Sequence, residues 1–388
     1  MVVLGITLFV VLVSSLGPCL DARARFVSDQ VVASGRPAPC VIEKVDVETT
    51  VGALAYDSAN QDLYMSDGFQ LYTVTGSSGN ILKAIALLHG VEPTTMAVDD
   101  VSNKIYVGSH FFGNVTVVNG KTNMIESYID VYPATLLSAD GLGSVIVVYF
   151  TQVNSTSLEE SVAVISGNND TVTTSIPIGN LPGTSVNAPF TPAIDFNNHT
   201  NLLYVGYGSS ITTISLNPTR IIGSIPVGFY PEGLAIDPRN DLLYVESWFN
   251  TIRVINASTG IDQGDISGLS ANNQTQSGSV VYYPAGNQIF ALVNETLVTI
   301  DTQSNSIVGR LAVGYYSTGP ITYDSGTGDF IVGAGANLLI VSPAGACPSS
   351  VPISNSWFFF IVMVGIALLA GVASVLVVRA LHLRQRGK

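Results

Sequence analysis

The stretch that decides the fold is GFYPEGLAIDPRNDLLYVESWFNTIRVINASTGIDQGDI, residues Gly228–Ile266. Short apolar segments rich in Val, Ile, Leu and Tyr alternate in it with turn residues such as Asp, Pro, Asn and Gly. Segments of this kind, bounded by turn residues, are typical of β-strands. The pattern predicts four strands in one sheet, namely Gly233–Ile236, Leu242–Glu246, Thr251–Asn256 and Ile261–Ile266.

Similar units recur along the chain, each marked by one anchor residue in the middle of its second predicted strand. The anchor residues are Tyr64, Tyr106, Val147, Tyr204, Tyr244, Phe290 and Phe330. Their spacing stays near 40 residues except between Val147 and Tyr204, where two insertions are predicted, at Gln152–Glu160 and Asn180–Phe190. A period near 40 with only strand signals is typical of propeller blades. The chain is therefore predicted to be all-β, with seven blades.

The last unit stops one strand early. Its third predicted strand lies in NLLIVSPAGACPSS, residues Asn337–Ser350, and no fourth strand follows. Near the N-terminus, Val41–Val47 precedes the first unit and has the pattern of a fourth strand. We therefore expect Val41–Val47 to complete the last blade. This closure of the ring removes two open sheet edges, which would otherwise be prone to aggregation.

The repeated unit resembles the YVTN β-propeller repeat family. The resemblance rests on Val227–Val245 and Asn250–Gly260, with weaker copies at Ala97–Thr122 and Ala193–Leu216, and it covers roughly residues 40–347. Three anchor residues depart from it because they are not tyrosine. Such repeats occur in exported and surface proteins of archaea and bacteria. The resemblance implies the fold rather than a function, since the family is defined by its scaffold.

Both ends of the chain have the composition of targeting segments. Residues 1–24 are predicted to be a signal peptide with an A-x-A cleavage site at Ala22 and Ala24; the alternative is an uncleaved anchor. Residues 357–378 carry no charge over 22 residues, which suffices for a transmembrane helix. The alternative for that segment is a buried core helix.

The basic tail 379–388 predicts a cytoplasmic C-terminus and places the rest of the chain outside the cell, on a single membrane span. Between the two ends we expect a lead-in over residues 25–39, the propeller over 40–347 and a juxtamembrane linker over 348–356.

Charge argues against a nucleic-acid partner. The net charge is −13, and the eight Lys and Arg residues between Cys40 and Trp357 are scattered. Nucleic acid requires clustered basic residues, so it is not expected to bind. The abundance of Val, Ile, Leu, Tyr and Phe also argues against a disordered chain.

Cys40 and Cys347 flank the predicted ring closure. They are the only cysteines that remain once a signal peptide containing Cys19 is removed. An even pair in an exported domain favours a disulfide. The alternative is two unrelated thiols.

One face of the predicted ring collects aromatic residues. Turns between second and third strands share this face with the connections to the next blade, and the other two kinds of turn share the opposite face. The candidate binding residues there are Phe111, Phe112, Tyr132, Phe190, Phe229, Tyr230, Trp248, Phe249, Tyr315 and Tyr316. Since the chain leaves the last blade at the opposite face, we expect the aromatic face to point away from the membrane. Exposed aromatic rings favour a binding surface; the alternative is packing between blades or across the channel mouth.

Signals for catalysis or metal binding are sparse. The four histidines are scattered, and no zinc-protease, haem or serine-hydrolase motif occurs. Aspartates recur after the first strands, at Asp57, Asp99, Asp140, Asp195, Asp237 and Asp324. We expect them to form Asx turns rather than a metal site. Glu92 and Glu232 hold equivalent positions near the channel mouth, but two carboxylates in seven blades predict no metal and no cofactor.

Seven sequons provide acceptors for N-glycosylation. They lie at Asn114, Asn154, Asn169, Asn198, Asn256, Asn273 and Asn294. Together these features predict a membrane-anchored cell-surface propeller, a non-catalytic binding or surface-layer-like module that contacts neighbouring surface proteins or glycans. The alternative function is an extracellular hydrolase or lyase with its site at the channel mouth.

Overall fold

The computed structural model describes residues 39–47, 49–75, 81–87, 92–109, 114–131, 133–154, 157–182, 193–247, 251–269, 279–293, 295–314 and 319–343. These residues form seven antiparallel sheets of four strands each. The first strand of each sheet contacts the first strand of the next around a closed ring. The sheets are therefore the blades of a seven-bladed β-propeller, as the sequence predicted.

Within each blade the strands run in order from the centre of the ring outwards. Blades 1 and 2 contain β2 Ala53–Asp57, β3 Asp62–Ser66, β4 Leu71–Thr75, β5 Ile81–Ile85, and β6 Thr95–Asp99, β7 Lys104–Gly108, β8 Val115–Asn119, β9 Met124–Ile129. Blades 3 and 4 contain β10 Ala134–Ala139, β11 Ser144–Asn154, β12 Ser157–Ser166, β13 Thr171–Pro182, and β14 Ile194–Asn197, β15 Leu202–Tyr207, β16 Ser210–Leu216, β17 Thr219–Pro226. Blades 5 and 6 contain β18 Pro231–Asp237, β19 Leu242–Ser247, β20 Ile252–Asn256, β21 Asp262–Ile266, and β22 Val280–Tyr283, β23 Gln288–Val293, β24 Thr296–Asp301, β25 Ser306–Ala312. Blade 7 contains β26 Ile321–Asp324, β27 Asp329–Ala334, β28 Asn337–Ser342 and β1 Cys40–Asp46.

The N-terminal strand closes the ring, which confirms the prediction within one residue at each end. Strand β1 pairs with β28 in antiparallel register, from Cys40 opposite Ser342 to Asp46 opposite Asn337. The link to blade 1 is held by the N–H of Val47, which donates to the carbonyl oxygen of Ala336 at 3.0 Å. Both chain ends of the propeller therefore lie in one sheet.

All seven anchor residues are buried, and the tyrosines among them latch each blade to the next. In three blades the hydroxyl donates to a residue with positive φ in the turn between the third and fourth strands of the following blade. These pairs are Tyr64 with Asn123 Oδ1 (2.6 Å), Tyr106 with Asp170 Oδ1 (2.9 Å) and Tyr244 with Asn305 Oδ1 (2.6 Å). A buried hydroxyl that is left unpaired is costly, so each blade selects its neighbour's turn residue.

Two of the anchors that lack a hydroxyl lie where the next blade lacks this turn. Val147 is followed by blade 4, whose corresponding turn contains only Asn217 and Pro218. Phe290 is followed by blade 7, in which the third and fourth strands are not joined by a turn at all. At this junction the rings of Phe290 and Phe330 pack with their centroids 4.3 Å apart. The departures from tyrosine thus follow the local architecture.

Tyr204 is the exception, because its buried hydroxyl has no hydrogen-bond partner among the described residues. The equivalent turn residue of blade 5 is Gly260, at φ 69°, which offers no side-chain acceptor. A Cβ atom at Gly260 would meet Ile225 at 3.6 Å, an ordinary contact. The position therefore has room for the asparagine that the other latches use.

Gly260→Asn is expected to stabilise the protein by about 1 kcal/mol, because it supplies the missing acceptor to Tyr204 and asparagine tolerates positive φ. Urea denaturation measures the change. Gly260→Ala is the matched control and should destabilise by roughly 1 kcal/mol, since alanine is strained at this φ and accepts no hydrogen bond. If adding Tyr204→Phe to Gly260→Asn left the gain intact, the latch would not be its cause.

The outermost strand of every blade carries a one-residue irregularity in its pairing. The residues of the outer strands that have no partner in the register are Ile42, Leu82, Glu126, Thr173, Ile222, Gln263 and Val308, with a second one in blade 3 at Ile178. Bulges twist an exposed edge away from flat pairing with another chain. The seven outer edges are thus poor templates for sheet-to-sheet association.

In blade 3 the residues of the two predicted insertions lie largely in strands. The first insertion, Gln152–Glu160, is largely strand, because β11 and β12 have 11 and 10 residues where other blades have five to seven. Strand β13 continues to Pro182, so only residues 183–190 of the second insertion lie outside the described residues. The predicted insertions therefore lengthen the strands of this blade as far as the structure describes them.

No helix within the described residues is long and apolar enough to cross a membrane. The predicted signal peptide, lead-in, linker, transmembrane segment 357–378 and tail all lie outside those residues, apart from Pro39 at the end of the lead-in.

Candidate binding face

The propeller has two faces with different construction. We call the face with the turns between strands 1 and 2 and strands 3 and 4 the latch face, because the tyrosine latches lie there. The opposite face, with the turns between strands 2 and 3 and the connections between blades, is the loop face. Strand β28 runs from Asn337 at the loop face to Ser342 at the latch face.

Asx turns shape the latch face, as predicted, with one correction. Carboxylate oxygens of Asp57, Asp99, Asp140, Asp237 and Asp324 accept hydrogen bonds from backbone N–H groups two to four residues later. In blade 4 the turn is made instead by Asn197, whose Oδ1 accepts from the N–H of His199 at 3.0 Å. The predicted residue, Asp195, lies inside β14 and accepts from the N–H of Ile236 in the next blade at 2.7 Å. The predicted residue is two positions from the observed one because the side chains of both Asp195 and Asn197 can form Asx turns.

Two of the ten predicted aromatic residues of the loop face are described by the structure. Phe229 is half-buried, packs against the cluster between blades 4 and 5, and has the guanidinium of Arg253 at 5.2 Å from its ring centre. Tyr230, next in sequence, is 54% exposed. The other eight lie outside the described residues: Phe111, Phe112, Tyr132, Phe190, Trp248, Phe249, Tyr315 and Tyr316.

Arg253 is itself held in place at this part of the loop face. Its Nε donates to Asp265 at 2.8 Å and its Nη1 donates to the carbonyl oxygen of Val227 at 2.7 Å. The fixed cation covers one side of Phe229, a favourable contact for an aromatic ring. Tyr230 therefore projects from a rigid base.

Phe69 is the most exposed large apolar side chain of the described residues, at 76%, and the sequence analysis did not single it out. It lies in the turn between β3 and β4. Oδ1 of Asp67 accepts from the N–H groups of Phe69 and Gln70 at 2.8 and 2.7 Å, and Oδ2 accepts from the Tyr72 hydroxyl at 2.8 Å. These hydrogen bonds lower the pKa of Asp67 against the opposing effect of its burial. The turn thus presents Phe69 in a preformed conformation. The signal that could have found it is the sequence Asp-Gly-Phe in a strand connection.

A cleft of about 360 Å³ opens between blades 2 and 3. Its lining residues are Asp130, Val131, Tyr149, Ala163, Val172 and Ser175. Asp130 and Val131 lie where the chain leaves β9 for blade 3, at the loop-face end of that strand. The cleft therefore combines an apolar floor with three polar side chains.

Glu160 is a buried carboxyl group at the base of the long hairpin of blade 3. It is 2% exposed, and its Oε1 has no hydrogen-bond partner among the described residues. It lies near an apolar cluster of Phe150, Leu158 and Tyr207, and burial raises its pKa to about 8. The side chain is therefore a neutral acid at neutral pH, and sequence alone did not mark it.

A second buried carboxyl group, Glu246, lies between blades 5 and 6 and is fully buried. A Cβ atom at Gly233 would lie 2.7 Å from its Oε2, so the glycine makes room for the carboxylate. Neighbouring Glu232 and, in blade 1, Glu92 are half-buried. The part of the chain that the structure describes contains no group of three or more His, Cys, Asp or Glu side chains arranged to hold a metal ion.

Three sequon asparagines, Asn114, Asn169 and Asn198, are exposed. Asn256 is half-exposed, and its Oδ1 accepts from the hydroxyl of Thr259 in its own turn at 2.6 Å. Asn154 is in β11, while Asn273 and Asn294 lie outside the described residues. Cys40 is 7% exposed and forms a disulfide whose partner lies outside the described residues.

The fold defines the class of protein as a seven-bladed β-propeller. Comparison with models of protein families finds no match, and comparison with curated proteins finds none either.

Proposed function

We propose that this chain is a membrane-anchored cell-surface propeller of the YVTN-repeat type, which acts as a non-catalytic binding or envelope module through its loop face. The observation that carries the proposal is the contrast between the two faces. The exposed large apolar side chains of the latch face, among them Val101, Met124 and Leu142, are aliphatic and lie in or beside short turns. The loop face instead displays two aromatic side chains: Phe69, which is 76% exposed in a turn held by Asp67, and Tyr230, which is 54% exposed and follows the packed Phe229.

Rigid aromatic side chains on a fixed scaffold suit recognition, because they bury a large apolar area without losing much conformational freedom. The charge of −13 and the bulged outer edges favour partners other than nucleic acid or a second sheet edge. Neighbouring surface proteins and glycans are the partners we propose. In this proposal the loop face is the surface that contacts these partners.

The test uses liposomes that carry the full-length chain, mixed with cell envelopes of the producing organism and sedimented. Phe69→Ala should weaken binding roughly 30-fold, because truncation of an aromatic hot spot costs about 2 kcal/mol or more. Leu142→Ala is the matched control, since Leu142 is 63% exposed on the latch face and should not matter. Equal losses for both variants, or no binding by the unaltered chain, would refute the proposal.

Metal analysis of the purified chain distinguishes the binding module from the alternative, a hydrolase or lyase. A binding module should contain metal well below one equivalent. A stoichiometric ion that resists dialysis would favour an enzyme with a site at the channel mouth.

A further inference from the structure

We propose that the cleft between blades 2 and 3 binds a neutral sugar ring. The inference rests on the proposed binding function and deepens it, because it names a ligand class and a place. It is carried by the shape of the cleft and by the chemistry of its six lining residues.

The cleft lies where the outer strand of blade 2 ends and the much longer outer strand of blade 3 continues. Strand β9 stops at Ile129, and the N–H of Val131 donates to the carbonyl oxygen of Ile129 at 2.9 Å as the chain turns towards blade 3. Strand β13 of blade 3 continues, and Ser175 remains exposed beside the turn. At about 360 Å³ the cleft is at the lower end of small-molecule sites, about 300–1,000 Å³, which suits one ring rather than an extended chain.

The lining matches the two-sided chemistry of a sugar ring. Val131, Ala163 and the partly buried ring of Tyr149 belong to the apolar cluster between the blades and can contact the C–H groups of a pyranose. The hydroxyls of Tyr149 and Ser175 lie 2.7 Å apart, and either can donate to the other. One O–H donor of this pair therefore remains for a ligand, along with acceptor lone pairs. Asp130 adds a carboxylate that accepts from sugar hydroxyls.

Charge excludes the other ligand classes of this size. None of the described residues that line the cleft is a cation, so a phosphate or acidic sugar would meet the repulsion of Asp130 there. An organic cation would gain little from Asp130, because an exposed ion pair contributes about 0–1 kcal/mol. A neutral polyhydroxylated ring uses both the polar and the apolar lining.

The experiment titrates four methyl pyranosides, of glucose, mannose, galactose and N-acetylglucosamine, into the full-length chain and measures binding by saturation-transfer NMR. The chain is made in a host that does not glycosylate asparagine, so its own glycans cannot fill the cleft. It is held in a detergent without a sugar head group for the same reason. At least one glycoside should bind saturably, with a Kd of the order of 1 mM.

Asp130→Asn and Tyr149→Phe should each weaken that binding about tenfold, as the loss of one good hydrogen bond does. Val172→Trp should abolish it by filling the cleft. Tyr128→Phe, an exposed tyrosine on β9 outside the cleft, is the control and should leave it unchanged. The proposal is overturned if none of the four glycosides binds, or if Asp130→Asn and Tyr149→Phe both bind like the unaltered chain. Binding to cell envelopes that depends on Phe69 could still be observed in that case. The sugar site and the binding function of the loop face can therefore be refuted independently.

Discussion

Glu160→Gln is expected to raise the free energy of unfolding at pH 8 by up to about 4 kcal/mol while changing it little near pH 4.5. Burial raises the pKa of Glu160 from its usual 4.5 to about 8, so the folded state keeps a proton that the unfolded state releases. Between these two pH values the unfolded chain binds fewer protons than the native chain. Glu160 should therefore make the protein less stable as pH rises from about 4.5 through 8, and glutamine removes this contribution while that of Asp195, whose pKa burial raises to about 6, remains.

Urea denaturation at several pH values between 4 and 9 measures the effect. Glu159→Gln is the matched control, because Glu159 is adjacent in β12 but only half-buried. Its curve should run parallel to that of the unaltered protein. Parallel curves for Glu160→Gln as well would show that the carboxyl group is not buried as a neutral acid in solution.

Loss of the ring-closing disulfide is expected to cost about 2–5 kcal/mol of stability. Cys40 begins β1 and is disulfide-bonded, and the sequence predicts Cys347 as its partner. That bond would close a loop of about 300 residues, for which the chain-entropy relation gives roughly 5 kcal/mol as an upper figure. Without it, β1 is held in blade 7 by its pairing with β28 and by the packing of Val41 and Val45 on the apolar clusters, and its departure would expose the edge of blade 7.

Cys40→Ser and Cys347→Ser should each lower the unfolding free energy by the same amount, and the double variant should lower it no further. Peptide mapping under non-reducing conditions identifies the pair directly. Free thiols at both positions in protein from the cell surface, or a bond from Cys40 to Cys19, would contradict the prediction.

The sequence by itself determined the architecture. The period near 40, the buried anchors such as Tyr244 and the truncated last unit predicted seven blades and the closure by β1, all of which the structure shows. This was possible because strand alternation and turn residues are local properties of the chain. They specify which side chains face the neighbouring blades, whatever residues those blades contain.

Only the tertiary structure decided what those buried positions contact. Tyr204 and Tyr244 look equivalent in sequence. The hydroxyl of Tyr204 has no acceptor among the described residues, whereas that of Tyr244 donates to Asn305, 61 residues away, at 2.6 Å. Glu160 lies in a stretch that looks like a polar loop, but the long hairpin carries it into an apolar junction with blade 4. Phe69 became notable because the hydrogen bonds of Asp67 fix its turn. The common physical reason is that burial, pairing and exposure depend on neighbours supplied by distant segments, and a local pattern does not contain them.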